Sequence, residues 1–333
     1  ITLDASYDII AAGTAVTGEG VDGWVGTLEI IDGLTIGQYN SAYYTMSDFS
    51  SWGIPGSLEL KPEITAPGGN IYSVQGANGA GANYAHDQYV VYSGTSMAAP
   101  QIAGMSAVVA QYIREAGLVE KTGLNERTLV QSLLMSTSVP VRDAKSNGNY
   151  YSVMQQGSGL ANVGAAVMAD SYILMGADAT ASYADGKVKA ELGDDPEKTG
   201  VYTFSFTINN LSGEAVTYEI SSSVLTESIY GGYFIANAPY ALEAEVAVDG
   251  PVTVPAYGTV TVNASITLTE NDKAYLNQFP NGIWVEGYFY ATEAGIDTEN
   301  AEPNRLTMPM VGFYGDWSAP DVFDRDDMGS YSL

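Results

Sequence analysis

Gly94-Thr95-Ser96-Met97-Ala98-Ala99-Pro100-Gln101-Ile102-Ala103-Gly104 is a turn of small residues that runs into an apolar helix. The spacing predicts a helix over 96–116, with Ser96 at its first position and Thr95 as its side-chain cap. At a helix start, unpaired backbone N–H groups point outward and the dipole is positive, so charge developing on a nearby oxygen is stabilised. Gly94 allows a tight bend and the close approach of another backbone. Ala98 and Ala99 leave room beside the serine. Pro100 is read as lying in the first turn, where a missing N–H costs little. These residues read as a serine nucleophile with an oxyanion site beside it; the alternative is an ordinary capped, buried helix.

Downstream, Ile102, Met105, Val108, Val109, Tyr112 and Ile113 spread round much of the helix and predict burial, with Gly117 as its stop. A second helix is predicted from Asn125 as N-cap, with Leu129, Val130, Leu133 and Leu134 at helical spacing. A third, over 162–171, would be capped by Asn162. Near residue 172 the period changes from helical to two. Tyr202, Phe204, Phe206 and Ile208 alternate with polar residues, as do Val260, Val262, Ala264 and Ile266. Trp284, Glu286, Tyr288 and Tyr290 alternate with Val285, Gly287 and Phe289. Turn-forming clusters such as Asn209–Gly213, Pro255–Gly258 and Pro280–Gly282 separate the runs. About seven such strands fit an antiparallel β-sandwich. Ala169–Met175, at the join, has no polar low-complexity linker, which predicts a firm contact between the two parts.

Composition narrows the class. With 39 acidic against 12 basic residues, the net charge of −27 repels nucleic acid and anionic membranes. The absence of cysteine excludes disulfides and zinc–thiolate sites. No apolar run reaches membrane-spanning length. A cysteine-free composition rich in Tyr, Thr, Gly and Asn resembles that of secreted proteins of Gram-positive bacteria.

Residues 94–104 resemble the nucleophile motif of subtilisin-like serine peptidases, Gly-Thr-Ser-Met-Ala-x-Pro-x-x-Ala-Gly, at every fixed position. Phe49–Gly53 and Leu60–Gly68 upstream, and Gln156–Val163 with Ala165-Ala166 downstream, resemble the flanking segments of that family in order and spacing. Val252–Ala256, Asn281–Gly287 and Pro309–Trp317 resemble the fibronectin-III-like domain that follows the catalytic domain in the cell-envelope lactocepin and C5a-peptidase-like group. The resemblance implies the carboxyl-terminal part of an α/β catalytic domain over 21–172 and a fibronectin-III-like β-sandwich over 173–333. Residues 1–20 would be the tail of an inserted protease-associated domain.

The resemblance also implies roles. Ser96 attacks the scissile carbonyl, and its own N–H, supported by Thr95, forms the oxyanion hole. Tyr92, Ser93, Gly94 and Met97 line the substrate on the leaving-group side. The family's Asp, His and oxyanion Asn precede the serine, and their motifs are not found in the 95 residues before Ser96. The sole histidine, His86, lacks the family's His-Gly-Thr-His pattern and reads as a solvated loop residue. The expected function is thus serine endopeptidase action on proteins and peptides, with the base and orienting acid supplied by an amino-terminal remainder. This chain alone would be inactive. The alternative is a catalytically dead pseudo-peptidase that serves as a binding or scaffolding module. No cofactor is required by this chemistry. Structural calcium occurs in the family, but no ligand set is legible, and Asp324–Asp327 lacks the later Glu of a calcium loop. Gly76, Gly79 and Gly81 lack the strand-then-helix context of a phosphate cradle.

Overall fold

The computed structural model describes residues 14–18, 21–25, 45–54, 56–74, 89–143, 148–176, 186–230, 233–296 and 304–319. The chain divides into two compact units, 1–40 and 41–333. In the first, β1 (Thr14–Gly18) and β2 (Val21–Val25) form an antiparallel hairpin. Of the residues weighed from the sequence, Gly76, Gly79 and Gly81, His86 and Asp324–Asp327 lie outside the described residues.

The second unit begins with extended segments around 45–74 and a short hairpin, β3 (Ile71–Val74) and β4 (Tyr89–Tyr92). Then comes α1, Thr95–Glu115. It starts one residue earlier than the sequence suggested, with Gly94 as N-cap and no side-chain capping bond, so Thr95 is the first helical residue rather than the cap. Pro100 consequently falls in the second turn, and the Ser96 carbonyl has no amide proton to accept four residues on. Gly117, left-handed at φ 63°, ends the helix as expected and leads into α2 (Leu118–Thr122). α3 (Glu126–Ser136) is capped by Asn125 Oδ1 accepting from Thr128 N at 2.8 Å. After α4 (Val153–Gln156), α5 (Val163–Met168) is capped by Asn162 Oδ1 accepting from Ala165 N at 3.0 Å. Val109, Ile113, Leu129, Leu133 and Ala166 pack the helices into one apolar cluster.

The strands that follow form two sheets. The four-stranded sheet runs β10 (Val246–Val248), β12 (Thr259–Thr267), β7 (Val201–Asn210), β5 (Ser171–Met175). The six-stranded sheet runs β11 (Val252–Val254), β8 (Val216–Tyr230), β13 (Ile283–Glu293), β14 (Arg305–Tyr314), β6 (Ala190–Asp194), with β9 (Tyr233–Ala241) also paired to β8. Pairing is antiparallel except between β14 and β6, which run parallel. Alternate residues of both sheets feed one core, with Tyr202, Phe206 and Ile208 from the first and Val285, Phe289 and Met308 from the second. The rings of Phe206 and Phe289 meet edge to face at 4.9 Å. A helix not anticipated from the pattern, α6 (Glu270–Leu276), is closed by a capping box between Thr269 and Asp272.

The helical part and the sheets share β5. Tyr172 and Leu174 face the helices, and Ile173 faces the sheet core. β13 alternates as expected, yet both of its faces are buried. On one face Tyr288 and Tyr290, with Trp284 beside them, join a cluster with Leu60, Tyr150, Val153 and Met154. Alongside, Lys187 and Lys189 reach Glu63 at 2.8 Å and Glu59 at 3.1 Å, while Glu191 Oε1 pairs with Lys189 at 2.8 Å and accepts from Leu60 N at 2.7 Å. Lys61 completes the network with Glu59 and Glu63. Hydrogen bonds from Lys189 and then Lys61 hold the Glu59 carboxyl down at about 2.

Phe289→Ala removes a fully buried ring at the centre of the shared core. It is expected to destabilise the chain by about 3–5 kcal/mol in denaturant unfolding. A loss under about 1 kcal/mol would show that the two sheets do not depend on that contact.

Candidate functional site

Ser96 stands exposed as the second residue of α1. A turn bonded from both sides places it there. Gly94 N donates to Gly68 O at 2.8 Å, and Met97 N donates to Gly94 O at 3.0 Å. Gly94 has φ 150°, a value that side chains disfavour. A Cβ on Gly68 would come within 2.9 Å of Gly94 O, so this approach needs glycine. Gln101 ties the same two strands of chain to the helix, its Nε2 donating to Pro67 O at 2.6 Å and to Met97 O at 3.1 Å.

The first turn of α1 carries no acidic residue. The amides of Thr95 and Ser96 have no intrahelical acceptor, and the dipole leaves partial positive charge beside the serine hydroxyl. This arrangement can hold an oxyanion formed on a group attacked by Ser96.

Of the other residues singled out from the sequence, Tyr92 closes β4 opposite Ile71 and is exposed. Ser93 Oγ accepts from Asn70 N at 2.8 Å and contacts Asn70 Oδ1 at 3.4 Å, fixing the hairpin's exit. Tyr72 and Tyr89 stack at 5.1 Å on the same hairpin, again exposed. A cleft of about 590 Å³ opens beside the helix start. Phe49, Ser50, Ala66, Asn70, Thr95 and Ile102 are among its lining residues. Thr95 thus belongs to the cleft, whereas Tyr92, Ser93, Gly94, Ser96 and Met97 do not line it; they occupy the adjoining turn. Gln101 and Gly68 were not singled out. Both sit inside quoted motifs, but their part in the turn depends on contacts from distant segments.

Among the described residues no cluster of three or more His, Asp or Glu is arranged to hold a metal ion. Among them, too, no helix is long and apolar enough to cross a membrane.

Residues 16–163 match the model of the subtilase family, and residues 191–311 match that of an Fn3-like domain. The PIII-type proteinase of Lactococcus lactis subsp. cremoris (strain SK11) is 29% identical over 337 residues, covering 96% of this chain and 16% of that protein. The PII-type proteinase of Lacticaseibacillus paracasei is 30% identical over 298 residues, covering 86% and 14%. The C5a peptidase of Streptococcus pyogenes is 28% identical over 292 residues, covering 86% and 22%. The chain therefore spans under a quarter of the length of each of these relatives.

Gln101→Ala removes both bonds that tie Pro67 and Met97 together. Each such bond contributes about 1 kcal/mol, so a loss of about 1–2 kcal/mol is expected, with faster amide exchange at Gly94. Unchanged exchange at Gly94 would show that Gln101 does not hold the turn.

Proposed function

We propose that this chain, a subtilase-family segment joined to an Fn3-like segment, is part of a cell-envelope serine endopeptidase with Ser96 as its nucleophile. The single observation that carries the reading is the exposed Ser96, delivered by the Gly68–Gly94 turn to a first turn of α1 that itself carries no acidic residue. The hydroxyl oxygen adds to the scissile carbonyl carbon, and the hydroxyl proton passes to a general base. The carbonyl oxygen becomes an oxyanion, held by the Ser96 N–H with Thr95 supporting the hole. The same base then gives its proton to the leaving amine as the acyl-enzyme forms. The base, its orienting Asp and an oxyanion Asn come from polypeptide amino-terminal to this chain. Tyr92, Ser93, Gly94 and Met97 line the leaving-group side.

In this reading residues 21–172 complete the catalytic domain and 173–333 form a fibronectin-III-like sandwich, with 1–20 the tail of an inserted protease-associated domain. The two sheets sharing the Phe206–Phe289 core support the sandwich. The bonds between the parts support a rigid spacer rather than a tethered appendage. The relatives' names and the acidic, cysteine-free composition support an extracellular, cell-wall-associated protein acting on proteins. The chemistry calls for no cofactor, and structural calcium remains compatible with it.

In the complete protein, a fluorophosphonate probe is expected to label Ser96, and Ser96→Ala to abolish labelling and lower kcat by about 10⁴–10⁶-fold. Labelling elsewhere in an active preparation would remove Ser96 from the reaction. Absence of labelling in a folded protein containing the upstream Asp and His would favour the pseudo-peptidase. The isolated chain is expected to show negligible hydrolysis of a generic protein substrate, and turnover lost on Ser96→Ala would place a base within it. Oxidising Met97 is expected to slow the complete enzyme without unfolding it, because a polar sulfoxide replaces the thioether beside the reacting centre. Full activity with Met97 oxidised, verified by mass spectrometry, would take it out of the site.

A further inference from the structure

Glu286 projects from the middle of β13 into the contact with the helical part and is 2% exposed. The groups that hold it are neutral donors. Ser152 Oγ donates to Oε2 at 2.6 Å and Val153 N at 2.9 Å. Ser152 is the N-cap of α4 and accepts from Met154 N at 3.1 Å, so the carboxyl of one strand finishes the cap of a helix on another part of the chain. One position beyond on the same face, Tyr288 OH donates to Gly157 O at 2.8 Å, closing the other end of α4. A carboxylate buried among neutral partners is destabilised when ionised, because dipoles replace its water only in part.

We propose that Glu286 is a proton-sensitive latch: with its carboxyl neutral it clamps the six-stranded sheet to the Ser152–Gly157 segment, and ionisation loosens that clamp. The proposal is independent of whether Ser96 is catalytic. The one charge that bears on the carboxyl is a like charge, and the cations nearby are engaged with other partners. Half-buried Glu227 on β8 adds like charge. Tyr288 and Tyr290 on β13 are themselves held neutral by burial. The overlying segment offers Tyr150, whose ring lies under the Arg142 guanidinium at 4.2 Å and whose hydroxyl accepts from Arg142 at 2.7 Å. α4 itself, Val-Met-Gln-Gln, is uncharged. On β14 the charged residue is Arg305, over the Tyr290 ring at 5.3 Å. Lys61, Lys187 and Lys189 are engaged with Glu59, Glu63 and Glu191 around Leu60.

Burial pushes the Glu286 carboxyl up to about 7 against the opposing bonds from Ser152 and Val153. A carboxyl that holds its proton more tightly in the closed joint than in the open one favours closure at low pH. That advantage is full below the open-state value of 4.5 and is lost as pH rises to about 7. With one histidine and no cysteine in the chain, few other side chains titrate between pH 6 and 8.

The test is hydrogen exchange on the whole chain, corrected for intrinsic rates, read at the amides of 153–159. Between pH 6 and pH 8 protection there is expected to fall about tenfold, with distant amides of β7 and β12 unchanged. Glu286→Gln, a neutral isostere, is expected to remain protected at both pH values. Ser152→Ala removes a donor that favours the ionised form, so its pH ratio is expected to exceed the wild-type one even if its baseline protection is lower. His86→Gln is expected to leave the response intact. Equal protection at the two pH values in the wild type, a tenfold fall that persists in a folded Glu286→Gln, or a ratio unchanged by Ser152→Ala would each overturn the latch.

Discussion

Tyr288 and Glu286 project from one face of β13, and the chain's second unit is organised by what covers them. A strand in the middle of a sheet already buries its other face in the sheet core. Covering the second face puts a carboxyl and a phenol out of reach of water, and buried polar groups must then find partners. They find the two ends of α4, Ser152 and Val153 at its start and Gly157 at its end. A one-turn helix has little stability of its own, since nucleation costs more than one turn returns. It persists because another element completes both of its ends.

From this joint a run of backbone bonds leads toward the nucleophile turn. Ser158 N donates to Glu63 O, Thr65 N to Gly159 O and Ala161 N to Thr65 O, so residues 63–65 and 158–161 lie side by side. Gly157 makes the approach possible, because a Cβ there would stand 2.3 Å from the Glu63 carbonyl carbon. Three residues past Thr65, the Gly68 carbonyl receives Gly94 N just before Ser96. The segment carrying the serine is thus registered against backbone that the sheets help to hold. The bonds form a contiguous physical route from the sheets to the serine's turn.

The charge distribution follows the same division. The chain has 12 basic residues against 39 acidic ones, yet Lys61, Lys187 and Lys189 gather at the contact between the two parts. Lys189 is buried there between Glu59 and Glu191. In a chain of such net charge, cations at the join offset repulsion where two acidic parts must touch. The β13 contact beside them uses neutral donors instead, Ser152 and Val153 bonding to the Glu286 carboxyl.

Much of this was legible in the sequence because it rests on local physics. Helix caps at Asn125 and Asn162, the stop at Gly117 and the period-two runs in β7, β12 and β13 depend on neighbours a few residues away, and a sequence displays those neighbours. The Ser96 turn was legible for the same reason. Its details were not: the cap fell to Gly94 rather than Thr95, because the turn's direction is set by the bond to Gly68, 26 positions away by number. The parallel β6–β14 pair, the second buried face of β13 and the partners of Glu286 were likewise hidden. The alternation in β13 says that two faces differ, but burial of both depends on which distant segment arrives to cover the outer one. Ser152 and Glu286 are separated by 134 positions, and nothing in the pattern of either segment selects the other. The sequence by itself determined the helix that carries the serine, the helices capped by Asn125 and Asn162, and the period-two strands. Only the tertiary structure decided which buried groups meet, because that pairing is fixed by the packing of whole elements and not by the residues beside each one.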